Sequence, residues 1–114
     1  MITHSLEHGV LVLTLDAGSG SRAQDDLPRR ISDLVHAHDP RAVVIILGDD
    51  AHVAETSAVL SAHLLCGDLG VLMSVATHSA SIRRRLQIQP DIAVTRLVVH
   101  ARTDTAIAIA ASAA

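Results

Sequence analysis

The sequence predicts an α/β fold, a single domain over residues 1–114 with a mixed, mostly parallel sheet of roughly four or five strands and about four helices. Three observations predict it. The runs Val10–Leu15 and Ala42–Leu47 are almost wholly apolar and rich in branched residues, the composition of buried strands. Segments with helical periodicity alternate with strand-like runs from residue 10 onward. A chain of 114 residues has the length of one domain, and it can bury roughly two thirds of its unfolded surface without disulfides or metal.

The elements follow in order. Ser5–Leu15 reads as strand, with Gly9 either turning a short hairpin or marking a bulge. Residues 16–21 are rich in Gly and Ser and read as loop. Asp25 or Asp26 caps a helix over 26–37, with Pro28 in its first turn and Leu27, Ile31, Leu34 and Val35 forming one apolar stripe. Asp39-Pro40 stops it. The strand at 42–47 leads through Gly48-Asp49-Asp50 into a helix over 56–66, with Val59, Leu60 and Leu64 inward and Gly67 as its stop. Gly70–Val75 is a further central strand, and Ser79 caps a helix through Leu86 that sets Ile82 and Leu86 four apart. Arg96–His100 is the last strand, and Thr103 or Asp104 caps a C-terminal helix with Ile107 on its buried side. The crossover rule places helices 26–37 and 56–66 on the same face of the sheet.

Composition narrows the function. Phe, Tyr and Trp are absent, so the core is built from Leu, Ile, Val and Ala and offers no aromatic platform for stacking bases. Net charge is -3 and every basic residue is Arg, which leaves no basic footprint for a nucleic acid. The single Cys66 excludes an intramolecular disulfide and fits a reducing cytosol. The N-terminal residues lack the charge pattern of a signal peptide, and no apolar run approaches the ~20 residues of a membrane span. The expected protein is soluble and cytoplasmic.

Most motifs have a plain structural alternative. Eight histidines invite a metal, but His36 and His38 diverge on a helix, and His52 with Glu55 would supply only two ligands. Gly18-Ser19-Gly20-Ser21 lacks the Lys-Ser/Thr of a phosphate-binding loop. Arg83-Arg84-Arg85 can hold a phosphate or an acidic partner, or simply face solvent; three consecutive helical residues cannot share one face. No Gly-x-Ser-x-Gly elbow is present, and Cys66 near a helix C-terminus lacks an activating positive environment. We therefore expect no enzymatic activity, no cofactor and no metal. Glu55-Thr56-Ser57-Ala58 stands apart. It follows a buried strand and sits where a helix would begin, so Thr56 is either a plain cap or a phosphorylatable hydroxyl beside exposed amides that favour an added anion.

The order of elements, together with Glu55-Thr56-Ser57-Ala58 and Ser79-Ala80-Ser81-Ile82-Arg83-Arg84-Arg85-Leu86, resembles the STAS domain family, whose simplest members are bacterial anti-sigma factor antagonists. In that family a strand leads to Asp-Ser-Ser-Gly at a helix start. The first Ser is phosphorylated by a partner anti-sigma factor kinase, and the unphosphorylated domain binds that kinase. The resemblance implies that Thr56 is the phosphoacceptor, with Ser57 as second hydroxyl, Glu55 as the acidic position and Ala58 in place of the Gly. It also implies a protein-binding surface on the loop at 48–56 and the following helix, with Asp49, Asp50, His52, Glu55, Thr56, Ser57 and Ser61 at the contact. The chain departs from the pattern in Thr for Ser, in Ala58, and in Ile45 and Ile46 where the family commonly carries an Asp. The same resemblance is compatible with a non-phosphorylated scaffold subunit of a stress assembly or lipid-transport complex, with a small nucleotide-binding module, and with a homodimer.

Overall fold

The computed structural model describes residues 2–15, 27–48, 53–88 and 98–113. Strands β1 (Ile2–Glu7), β2 (Val10–Leu15), β3 (Ala42–Leu47), β4 (Leu72–Thr77) and β5 (Val98–His100) form one five-stranded sheet in sequential order. β1 runs antiparallel to β2, and the remaining pairs are parallel. The helices among the described residues are α1 (Leu27–His38), α2 (Val53–Leu69), α3 (Ala80–Ile88) and α4 (Thr103–Ala113). The α/β class and the mixed, mostly parallel sheet are those the sequence predicts.

Both faces of the sheet are covered, which is why β2 and β3 read as continuous apolar runs and not as alternations. Leu11, Leu13, Leu15, Val43, Ile45 and Leu47 point to one face and pack with Ile31 and Val35 of α1, Ala58, Val59, Ala62 and Cys66 of α2, and Ile82 and Leu86 of α3. Val10, Val12, Ala42 and Val44 point to the other face, against Ala106 and Ala110 of α4. Helices α1 and α2 thus share a face, as expected.

Local chemistry explains the boundaries. His8 and Gly9 both have positive φ, 51° and 82°, so they form the two-residue turn of a β1–β2 hairpin and there is no bulge. Asp39, with φ 46°, ends α1 immediately before Pro40, and its amide donates to the Val35 carbonyl at 3.0 Å.

Gly67 is not the stop of α2. The helix continues through it to Leu69, and Gly70 takes the left-handed position with φ 71°. The Val71 amide donates to the Cys66 carbonyl at 2.8 Å and the Gly70 amide to the Gly67 carbonyl at 3.3 Å, the paired bonds of a Schellman end. That end consumes Gly70 and Val71, so β4 starts at Leu72 and runs to Thr77 instead of spanning 70–75. The two glycines should respond oppositely to substitution. Gly70→Ala forces a Cβ onto a left-handed backbone and costs about 1 kcal/mol. Gly67→Ala meets nothing within 4 Å and removes a flexible residue from a helix interior, a gain of about 0.5–1 kcal/mol. Urea midpoints of the two variants check the assignment.

The start of α2 also differs from expectation. It begins at Val53, so Thr56 is its fourth residue and Ser57 its fifth, and neither is the cap. Leu64 faces outward and is 60% exposed, where an inward position was expected. The inner stripe is set by Ala58, Val59, Ala62 and Cys66, whose small side chains let the helix lie close to the sheet. At α4 the Ala106 amide donates to the Arg102 carbonyl at 3.2 Å, which makes Arg102 the cap in place of Thr103 or Asp104. The expected caps Asp25 and Asp26, the loop at 16–21, and Pro90, Arg96 and Leu97 lie outside the described residues.

Candidate functional site

The carboxyl edge of the parallel strands is where this topology gathers its functional groups. Leu15, Leu47 and Thr77 stand side by side in register at the ends of β2, β3 and β4. Each parallel strand is followed by a helix that starts from this same edge. Four helix N-termini, with their partial positive charge, therefore collect at one end of the molecule. In open α/β sheets, ligands that bind do so outside this end of the strands.

Two surfaces meet there. One is the β4–α3 turn. Thr77 is the one buried polar residue in the described core, 2% exposed. Its Oγ1 accepts from the Ser79 amide at 3.3 Å, and its carbonyl accepts from Arg83 Nη1 at 2.9 Å. Ser79 Oγ in turn accepts from the Ile82 amide at 3.3 Å, the helix cap expected from the sequence. Arg83 is therefore a clamp that ties α3 to the end of β4, and Arg84 is exposed beside it. Sequence reasoning placed Thr77 beyond its strand and missed the clamp; no spacing rule marks an arginine that reaches back six residues to a carbonyl.

The other surface is the outer face of α2. Ser57, Ser61, Leu64 and Asp68 are all exposed and recur at i, i+4, i+7 and i+11, a single outward stripe leading away from the first turn. Ser57 and Ser61, both expected at the contact, stand on it. Thr56 and Glu55 are placed by backbone only, in the first turn. With Val53 as first helical residue, the free amides belong to the residues up to Glu55, so Thr56 follows them directly. Asp49, Asp50 and His52 lie outside the described residues. Leu64 was the residue misplaced by sequence, although its helical spacing from Ser57 and Ser61 marks the outward stripe.

The remaining candidates do not converge with these. The His36 Nδ1 donates to the Ser32 carbonyl at 2.8 Å, whereas the His38 ring lies 5.3 Å from that of His4, so the two histidines do diverge. Among the described residues no three His, Cys, Asp or Glu side chains are grouped to hold a metal ion. At the start of α4, Arg102 Nη2 pairs with Asp104 Oδ2 at 2.9 Å. The Thr105 amide, and after it Arg102, hold the Asp104 carboxyl below its ordinary value. Both side chains are about two-thirds exposed, and such pairs contribute little to stability. No helix among the described residues is long and apolar enough to cross a membrane.

Cys66 is buried in the main core, and burial pushes its thiol from 9.0 up to about 11. Because the folded state holds the proton more tightly than the unfolded chain, this group's contribution to stability is complete below about pH 9 and is lost as pH rises toward 11. The stability gap between wild type and Cys66→Ala should therefore narrow over that window in urea titrations, and the native thiol should resist iodoacetamide at neutral pH.

Compared with models of known protein families, the chain matches none, and it matches no curated protein.

Proposed function

We propose that this chain is a non-enzymatic regulatory protein-binding domain, resembling an anti-sigma factor antagonist. It docks an anti-sigma factor or serine/threonine-kinase-like ATPase through the outer face of α2 and is switched by phosphorylation at Thr56. The observation that carries this reading is the stripe Ser57–Ser61–Leu64–Asp68, with a leucine 60% exposed at its centre. An exposed leucine flanked by two hydroxyls and a carboxylate has the make-up of a small docking face, an apolar anchor within a polar rim. Thr56 stands one residue before Ser57 and about 100° round the helix from it, on the flank of this stripe.

The switch follows from charge. A phosphate on Thr56 adds about -1.5 to -2 charges in the first turn of α2, where the free amides and the helix dipole accept an anion. The modified domain keeps its fold while the edge of its docking face turns strongly negative. A partner that closes over neutral hydroxyls then has to bury an unpaired charge. The expected results are that Thr56→Ala binds the partner as wild type does and is no longer labelled by its kinase, and that Thr56→Glu binds about tenfold or more weakly. Quantitative pull-downs and kinase labelling of the three proteins test this. Equal binding by all three, with no labelling of wild type, overturns the switch.

A further inference from the structure

Strand β1 is an edge of the sheet: among the described residues it pairs with β2 alone. The hairpin turn decides which of its backbone groups are already used. Glu7 and Val10 flank the two-residue turn and close it by bonding each other, and along an antiparallel ladder such pairs alternate. Ser5 and Thr3 therefore also bond β2, whereas the N–H and C=O groups of Ile2, His4 and Leu6 point away from it. Edge strands are commonly guarded by Pro or by Lys, and β1 has neither. His4 and Leu6 stand opposite Leu13 and Leu11, which pack towards α1, so both lie on the α1 side of the sheet. There the His4 ring lies 5.3 Å from the ring of His38, the last residue of α1, and is inclined to it by 48°.

The free edge and the histidine pair fit one occupant, a second copy of the chain. Two imidazoles that share a tetrahedral zinc, each with its nitrogen about 2.1 Å from the metal, have ring centres about 5 Å apart. The His4–His38 separation matches that spacing. Among the described residues of one chain no third ligand joins the pair. A two-fold axis perpendicular to the sheet lays one β1 antiparallel against another, and opposed residues must then share a face. Centred on His4, this register also sets Leu6 against Ile2 of the copy and engages all three free residues of each strand; any other two-fold register leaves at least one unengaged. Opposed residues of such a pair have Cα atoms about 5.5 Å apart, so each His4, with its His38, comes to the axis on the same face. Backbone pairing of one short strand is a small interface and holds a dimer weakly, and a shared metal supplies what it lacks. We propose that the chain forms a zinc-held homodimer, β1 antiparallel to β1, with His4 and His38 of both copies as the four ligands. The interface uses no residue of the α2 stripe, and each can fail without the other.

The test is sedimentation velocity and calorimetric titration of the full chain, stripped with a chelator and then given zinc chloride alone. The expected result is a monomer without zinc and a dimer with it, at one zinc per two chains. His38→Ala leaves β1 untouched; it should lose the dimer and weaken zinc binding about tenfold or more. Leu6→Pro removes an outward N–H that β2 does not use, a place where an edge strand tolerates proline, and keeps both imidazoles. It should also lose the dimer, which separates strand pairing from ligation. Absence of zinc binding overturns the proposal, as does a monomer that binds one zinc per chain. A dimer that forms without zinc, or that persists in either folded variant, overturns it equally.

Discussion

Ile45→Ala should lower the free energy of unfolding by about 2–5 kcal/mol. Ile45 is fully buried in the centre of β3, between β2 and β4, and packs into the cluster that joins the sheet to α1, α2 and α3. Truncation removes three buried carbons and leaves a void that rigid neighbouring strands fill poorly, so transfer and cavity terms add. Total stability for a domain of this size is about 5–15 kcal/mol, so the variant forfeits a large share of it. Leu64→Ala is the control. Its side chain is mostly in solvent, and its loss should change stability by about 0.5 kcal/mol or less. Urea unfolding of both variants measures the contrast. Equal losses would mean that α2 lies on the sheet in a different rotation from the one described.

The second large effect concerns binding. Leu64→Asp should abolish partner docking, with a loss of about 2 kcal/mol or more, while leaving urea stability near wild type. An apolar anchor contributes by filling a pocket on the partner; an aspartate in its place enters that pocket charged and without a counter-ion. Asp68 lies next along the same stripe, so the substitution also builds up negative charge there. On the proposed function, stability and binding separate between two residues: Ile45→Ala should act on the fold and Leu64→Asp on partner docking. Parallel losses of both at Leu64 would place it in the core and remove the docking face.

The sheet was legible because β2 and β3 are covered on both sides and so are apolar at nearly every position, and because Ile31 and Val35 repeat at helical spacing. The Ser79 cap was legible because a serine before a helical run with an apolar residue three positions on has few other uses. What escaped depended on competition between alternatives. Two glycines three apart each suit a helix end, and only the positive φ at Gly70 decides between them. Thr56 and Ser57 are good caps by residue type, yet α2 begins three residues before Thr56. Leu64 reads as inward because it is apolar, whereas the inward stripe is held by Val59 and Cys66 together with Ala58 and Ala62, which sequence hydrophobicity ranks lower. Arg83 escaped because its acceptor is a backbone carbonyl, which leaves no trace in side-chain patterns.

Site-specific photocrosslinking tests the proposed docking of a regulatory partner on the outer face of α2. A photoreactive side chain is placed at Ser61, in the middle of the stripe, and separately at Ser112 near the end of α4, and each protein is irradiated in the cells that express it. The expected result is an adduct from position 61 with an anti-sigma factor or serine/threonine-kinase-like ATPase, lost with Leu64→Asp and absent from position 112. No adduct from position 61, or the same adducts from both positions, would contradict it.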